Sequence, residues 1–513
     1  MVRTITGDKL DKVGQYSLTD LELISYQFEK EESLPRIIDI KGIMYNFELA
    51  EDIMTNNVVG SVIVYDRQDI RSLLPITGLE RIAFHLKTPG VAYGREDVID
   101  ASEETGEPFH VYKITDRKQV NQGLTIYTLH FASREFMRNL RTKVSQAYDG
   151  KYDRAVIDIM KDKNYLDSRK KLHYEPTGNA NKIVIPNMAP FDAINMIAKR
   201  SVADKSNGVG YYFYETTGGY YFRSWASMIT SQGEFARPPK QQFYYQPGKM
   251  ASENTTKTKD IQGNEKTQEK IEKEYQSVES YRFVNNFHDI AANTALGTYA
   301  HTAITYNMFD KSYKEAIYNY EIDYMRSKHT DQTADRFAKE KYAVAAESIV
   351  DTDDKKISDY KESRVSLQTT TQFLHDEDKG AGYGLDVTQD GVKFVQGESI
   401  RNSIVNGTTL HMVVKGQSYL EPGDLIEFKL ISVDEKNPDG KEDPQYSGRY
   451  VITKIRHQVN ATKYANAIEC VKDTTKQGFS TGYKKLERIN NFSGIRNIYT
   501  AENPAGQTNH GSS

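Results

Sequence analysis

The feature that most constrains this chain is a three-part pattern that occurs twice, in the same order, in its two halves. The first half holds Asn56-Asn-Val-Val-Gly-Ser61, then Gly78-Leu-Glu-Arg-Ile-Ala-Phe-His-Leu86, then Val111-Tyr-Lys-Ile-Thr-Asp116. The second answers with Asn293-Thr-Ala-Leu-Gly-Thr298, Gly423-Asp-Leu-Ile-Glu-Phe-Lys-Leu430 and Tyr446-Ser-Gly-Arg-Tyr-Val-Ile-Thr453. Each half thus has a glycine turn followed by Ile-x-Phe-x-Leu, the period-two alternation of a strand with one buried face, and later a Tyr-x-Ile-Thr core at Tyr112 or Tyr450. Short strand motifs also recur by chance in a Tyr-rich chain, but order is harder to fake than composition. The pattern predicts a duplicated β-rich domain whose second copy is interrupted. On that reading Ser447-Gly448-Arg449-Tyr450 takes, in the second copy, the place of Phe109-His110-Val111-Tyr112 in the first.

At 513 residues the chain is too long for one ordinary core and predicts two to four domains. A net charge of −4 with 27% charged residues gives no sign of a nucleic-acid grip. The single cysteine, Cys470, excludes a disulfide framework, fits assembly in a reducing cytoplasm and reads as a buried structural thiol. Residues Met1 to Asp20 show no secretory pattern, and no run approaches the ~18 apolar residues of a membrane span. The sequons at Asn254 and Asn406 therefore say nothing about glycosylation. Tyrosine is the anomaly, 35 against 1 Trp, and it suits half-buried strands and interfaces.

Alternating runs predict strands over Leu21–Phe28, Pro35–Gly42, Ile43–Ala50, Val58–Tyr65 and Gly78–Leu86, and a hairpin from the Tyr112 strand to Gly123–Phe131. Helical spacing follows: Ser133 as N-cap before Phe136, Met137 and Leu140, then Tyr152–Asp162, then a Pro-started helix over Phe191–Ala198. Two aromatic runs around Gly218-Gly219 predict a further hairpin. The predicted organisation is a first β domain at 1–132, an α/β module with the aromatic hairpin at 133–247, a polar linker at 248–276, a second β domain at 277–310 and 406–476, an insertion at 311–405 and a tail at 477–513. An Ala-rich stretch around Arg336 to Ser348 in the insertion reads as helix.

Catalytic patterns are missing: there is no P-loop, Gly-x-Ser-x-Gly, His-Glu-x-x-His or paired Cys-x-x-Cys. Gly380-Ala-Gly-Tyr-Gly384 lacks the strand and helix of a dinucleotide loop, and the acidic runs Asp351-Thr-Asp-Asp354 and His375-Asp-Glu-Asp378 lack calcium-loop spacing. His457 reads as a half-buried satisfied histidine. The expectation is no catalytic residue, no cofactor and no metal.

Several motifs resemble the baseplate central hub proteins of contractile-tailed bacteriophages, a tail-tube-like family related to type VI secretion spike bases. Ser61-Val-Ile-Val-Tyr-Asp66 followed by Leu74-Pro-Ile-Thr-Gly-Leu-Glu80 looks like that family's strand ending in Asp before Leu-Pro-Ile-x-Gly-x-Glu. Leu129-His-Phe-Ala-Ser-Arg-Glu135, Ile185-Pro-Asn-Met-Ala-Pro-Phe191, Phe213-Tyr-Glu-Thr216, Lys415–Asp424 and Tyr446–Tyr450 are similar to its continuation. The resemblance covers most of the chain apart from the linker and the insertion. It implies an α+β, mainly β chain with two tail-tube-like antiparallel sandwich or barrel domains, assembled as a homotrimer whose six similar domains form a pseudo-sixfold ring with paired sheet edges. The implied partners are tail tube or tube-initiator proteins, a trimeric spike and baseplate wedge proteins. DNA would pass without specific binding, the chain would insert in no membrane, and its place would be the virion tail baseplate, assembled in host cytoplasm. The structural and interface candidates are Asp66, Pro75, Gly78, Tyr112, Gly423, Gly448 and Tyr450. Two other readings stand beside it: a tail-associated cell-wall-degrading enzyme using carboxylates such as Glu80 or Asp424, and the spike base of a type VI secretion-like machine.

Overall fold

The computed structural model describes residues 16–25, 37–67, 70, 79–88, 98–104, 106–178, 183–205, 209–229, 239–245, 275–285, 289–307, 311, 313–319, 329–330, 343–344, 355–370, 407–431, 442–443 and 445–475. The architecture is mainly β with antiparallel sheets. The N-terminal strands are β1 (Ser17–Ile24), β2 (Ile37–Asp39), β3 (Met44–Asp52), β4 (Val59–Asp66), β5 (Arg81–Lys87), β6 (Val98–Asp100), β7 (Phe109–Asn121) and β8 (Leu124–Ala132). Their inward positions form one core: Phe47 and Leu49, Val62 and Val64, Ile82, Phe84 and Leu86, Leu129 and Phe131. Burying each such side chain stabilises the fold by roughly 1.5–3 kcal/mol. Gly60 lies opposite Phe131 in the ladder, and a Cβ there would sit 2.3 Å from the Phe131 ring, so the strand needs glycine at that point.

An α/β module follows. It holds helices Arg134–Arg141, Tyr152–Lys161, Pro190–Arg200 and Trp225–Ile229 and strands β9 (Val144–Tyr148), β10 (Leu172–Tyr174), β11 (Ile183–Met188), β12 (Tyr211–Thr216) and β13 (Gly219–Ser224). Ser133 occupies the N-cap position, although its side chain makes no capping bond. The aromatic hairpin β12–β13 is buried on both faces. Tyr211, Phe213, Tyr220 and Phe222 point into the module core, while Tyr212, Tyr214 and Tyr221 pack with Trp225, Ile53, Leu425, Val451 and Val471. This double burial accounts for five of the 35 tyrosines.

The remaining strands are β14 (Gln241–Tyr245), β15 (Val278–Asn285), β16 (Ala300–Asn307), β17 (Tyr313–Asn319), β18 (Ala343–Val344), β19 (Val365–Thr370), β20 (Thr408–Lys415), β21 (Leu425–Leu430), β22 (Gly448–Asn460), β23 (Tyr464–Lys472) and β24 (Thr474–Thr475). β15 and β20–β23 bury their own core, with Phe243 of β14 added. The path β3-β4-β8-β7-β5 is repeated as β15-β20-β23-β22-β21, and pairing of β22 with β3 joins the two into one 14-stranded sheet. Even the bulges recur. β3 and β15 shift register after Met44 and Val278, and β7 and β22 after Val111 and Ile452.

These ladders establish an internal duplication and correct its sequence alignment. Ile82 opposes Phe109 as Ile426 opposes Tyr450, so the two Ile-x-Phe-x-Leu strands are equivalent. Tyr450 therefore matches Phe109, and the matched bulges put Tyr112 against Thr453. The Tyr-x-Ile-Thr match is out by three residues, and an odd slip reverses the face each side chain takes. Tyr112 is accordingly 40% exposed and Tyr450 fully buried. The Asn56/Asn293 match also fails: Gly60 lies within β4, whereas Gly297 follows the helix Ile290–Ala295 and leads into β16, which pairs with β17 and β19 in a separate sheet. The second copy's counterpart of β4 is β20. The stretch read as helix around Arg336 to Ser348 is described only at Ala343–Val344, which pairs as a strand with β24.

Candidate functional site

The joint between the copies is where the sequence does something unusual. Lys454 to Asn460 of β22 pairs residue by residue with Asp52 to Asn46 of β3. On the solvent side, Lys454 lies 3.8 Å from Asp52 and 3.3 Å from Glu469, partly exposed pairs that contribute only about 0–1 kcal/mol each. On the core side, His457 and Glu51 are buried, with Nε2 of the imidazole 3.2 Å from Oε1. His457 Nδ1 lies 2.6 Å from the Tyr464 hydroxyl, and Glu51 Oε2 accepts the Thr217 N–H at 3.2 Å. A neutral imidazole donating from Nε2 and accepting at Nδ1 satisfies both neighbours. Gly416 makes room for Tyr464, since a Cβ there would lie 2.1 Å from its ring.

A second buried group ties the hairpin β12–β13 to the turn before β21. Glu421 accepts from the Tyr221 hydroxyl at 3.0 Å, and a Cβ on Gly218 would lie 2.3 Å from its Oε1. Asp424 accepts the Glu421 N–H at 2.9 Å and Lys240 Nζ at 2.6 Å. Burial, with the charges of Asp424 and Glu51 against that of Lys240, pushes the Glu421 carboxyl up to about 7. A carboxyl raised on folding keeps its proton in the native state where the unfolded chain has lost it. Its contribution to stability therefore falls as pH rises from about 4.5 to about 7. Glu421→Gln is expected to melt above the wild type at pH 8 and no higher at pH 5, in paired thermal scans; equal differences at both pH values would refute the assignment.

A third group fastens the module to the first copy. Lys170 Nζ lies 3.1 Å from Glu135 Oε2 and 2.5 Å from Glu215 Oε1, and Glu215 Oε2 accepts the Val58 N–H at 2.9 Å. Asn56 in the same β3–β4 turn donates to the Phe213 carbonyl at 2.7 Å and exchanges bonds with Asn195. Burial raises both carboxyls; Lys170 and the Ser168 hydroxyl pull Glu135 back below the usual range, while Glu215 stays raised.

The structure places the sequence candidates as follows. Asp66 is buried at the end of β4, accepting the Ile70 N–H at 2.9 Å and the Tyr127 hydroxyl at 3.4 Å. Pro75 and Gly78 lie outside the described residues, as do Asp351–Asp354, His375–Asp378 and Gly380–Gly384. Tyr112 stands at the β7 bulge, 5.8 Å from the Phe136 ring. Gly423 has φ +84° and packs under Tyr214, whose hydroxyl would lie 2.2 Å from a Cβ. Gly448 opens β22 opposite Phe428, with φ 145°. Tyr450 stacks edge-on against Phe428, and its hydroxyl donates to the Tyr446 carbonyl at 2.7 Å. Cys470 is buried, and burial pushes its thiol up. His457, read as half-buried, is fully buried at the joint.

Glu80 and Asp424, the carboxylates considered as acid and base, take equivalent positions in separate copies. Their carbonyls accept the N–H groups of Val111 and Ile452 at 2.8 and 2.9 Å, and their side chains accept turn N–H groups. Among the described residues, three or more His, Cys, Asp or Glu nowhere gather as a metal site. No helix among them is long and apolar enough to cross a membrane. Sequence reasoning missed Lys170, Glu135, Glu215, Glu421 and Lys240 as buried partners, because each finds its partner far along the chain.

No protein-family model matches the chain, and no curated protein matches it. Solved structures do. A 43 kDa tail protein of prophage MuSo2 from Shewanella oneidensis is similar at 8% identity and a TM-score of 0.48, over 90% of this chain and 99% of that one. A tail protein from Neisseria meningitidis is similar at 9% and 0.45, over 89% and 97%. An E. coli component of the type VI secretion system, described as structurally similar to T4 phage tail proteins, follows at 8% and 0.37, over 84% and 73%. Two of these neighbours are thus tail proteins and the third a type VI secretion component. At such distances the likeness carries no argument of its own about function.

Proposed function

We propose that this chain is the structural hub of a phage-tail baseplate. Three copies form a ring of six similar units that joins a hexameric tail tube to a trimeric spike and leaves a central passage for DNA. The observation that carries this reading is the duplication itself: one chain presents two equivalent four-stranded units, β15-β20-β23-β22 and β3-β4-β8-β7, already joined edge to edge. A chain so built converts threefold symmetry into six similar edges, which is what an adaptor between a sixfold and a threefold partner requires. A cleft of about 490 Å3 spans β15, β20, β23, β22 and β3 on the solvent face, lined by Arg282, His411, Glu469, Lys454 and Asp52 among others, so the sheet is concave there. A concave face of mixed charge suits a conduit that lets DNA pass without holding it.

In this reading the chain does no chemistry. The second unit is interrupted between β15 and β20, the counterpart of the β3–β4 turn. Tube or tube-initiator proteins dock on one end of the ring, the spike on the other, and wedge proteins outside. Native mass spectrometry of the purified chain is expected to give a trimer, and particle images a ring with a central opening. A monomer at micromolar concentration, with and without a spike protein, would sink the proposal.

A further inference from the structure

β14 and β21 run parallel, with Gln241 opposite Ile426 and Tyr245 opposite Leu430. One residue before that ladder the Lys240 N–H donates to the Leu425 carbonyl at 2.7 Å, so Lys240 and Asp424 stand together at the same end of the pair. Their side chains meet: Lys240 Nζ lies 2.6 Å from Asp424 Oδ2, and the two side chains are 13% and 3% exposed. We propose that this pair condenses into an amide, a covalent cross-link between the start of β14 and the turn before β21. The bond is independent of the ring reading and adds a modification site to the chain whatever it assembles into.

The turn is fixed before any reaction. Gly423 takes φ +84° under Tyr214, the Asp424 N–H donates to the Glu421 carbonyl at 3.2 Å, and the Glu421 N–H donates to Asp424 Oδ2 at 2.9 Å. A nucleophile and an electrophile held in contact react as if at an effective molarity of up to about 10⁵–10⁸ M. Proton transfer inside the Lys240–Asp424 hydrogen bond turns ammonium and carboxylate into amine and acid, the uncharged pair that a dry site favours. The amine nitrogen then attacks Asp424 Cγ while the Glu421 N–H steadies the charge that develops on Oδ2. The nitrogen–carbon bond forms, the carbon–hydroxyl bond breaks and one water leaves. Ammonium and carboxylate thus become amide and water, with no oxidant and no activating group. Glu421 is the proton carrier. Burial, with Asp424 and Glu51 and against Lys240, pushes its carboxyl up to about 7, so near neutral pH it takes the proton of the attacking nitrogen and returns one to the leaving hydroxyl.

Lys170 marks the contrast. Although burial works against its charge, Glu215 and Glu135 together hold its ammonium above the usual lysine range, and a protonated amine is no nucleophile. The consequence of the bond is topological. Lys240 and Asp424 lie 184 residues apart, so their amide closes the intervening chain into a loop, and cross-links over long loops constrain the unfolded chain most. A single cut inside that loop leaves the chain in one covalent piece.

Intact-mass spectrometry of the purified, denatured wild type is the test. The expected mass is below the sequence mass by one water, with a tryptic product that joins the peptide carrying Lys240 to the one carrying Asp424. A wild type at its full sequence mass overturns the proposal. Lys240→Arg keeps the charge and removes the nucleophile, so it is expected at its own sequence mass; a water still missing there places the loss elsewhere and overturns the assignment. Glu421→Gln is expected to leave most chains unlinked, and full water loss in that variant overturns the role of Glu421. Limited proteolysis supplies a readout that mass alone does not: wild type cut once between positions 240 and 424 runs as one chain in denaturing gels, and Lys240→Arg runs as two. Because the bond adds its own difference between wild type and Glu421→Gln, the melting comparison of those two is made in chains that also carry Lys240→Arg.

Discussion

Lys170→Met is expected to lower stability by about 3–5 kcal/mol at pH 7, the usual cost of removing one partner from a buried ion group. Lys170 is the cation between Glu135 and Glu215, both almost fully buried, and its ammonium also sits 5.7 Å from the Phe109 ring and 6.0 Å from the Tyr220 ring. Methionine keeps the packing volume and removes the charge, so two carboxylates remain in a dry site with no cation between them, held by the Ser168 hydroxyl and the Val58 N–H. Their protonation then becomes favourable. The sign follows from linkage: without Lys170 both carboxyls are raised on folding, and the variant regains stability as pH falls from 7 toward 5. Urea midpoints at pH 7 and pH 5 test this, and a loss below about 1 kcal/mol at pH 7 would refute the account. The same cluster holds the module to the β3–β4 turn through Val58, so limited proteolysis of the variant is expected to cut between the module and the first copy.

The second large effect is at the joint. His457→Leu is expected to cost about 1–3 kcal/mol, because the buried Glu51 carboxyl and the Tyr464 hydroxyl each lose a hydrogen bond to the imidazole. Glu51→Leu combined with His457→Leu is expected to cost less than the sum of the single changes, since the charge and its partner leave together. Strict additivity in a double-mutant cycle measured by urea unfolding would show that the pair is not coupled.

The strands were legible because their signal is local. Ile82, Phe84 and Leu86 alternate within seven residues, as do Ile426, Phe428 and Leu430, and burial of one face is all that alternation needs. Register was not. Tyr112 and Tyr450 sit in the same four-residue motif, yet the ladder sets Tyr450 against the position of Phe109, a choice made by neighbours on β5 and β21 that the motif does not contain. The match of Gly60 to Gly297 failed for the same kind of reason. Gly60 is required by Phe131 on a paired strand, while Gly297 adopts φ +73° after a short helix. The buried ion groups left no trace in the sequence, because Lys170, Glu135 and Glu215 are brought together by packing of separate elements.

The sequence by itself determined that the chain is mainly β, that a strand pattern is repeated in its two halves, and that its tyrosines serve packing, because each of these depends on residues within a few positions of one another. Only the tertiary structure decided that the two copies fuse through β22 and β3, and that the second copy is split in the counterpart of the β3–β4 turn. These are outcomes of pairing between strands hundreds of residues apart. A hydrogen-bonded ladder fixes its partner by the fit of whole faces, which no local run of sequence contains.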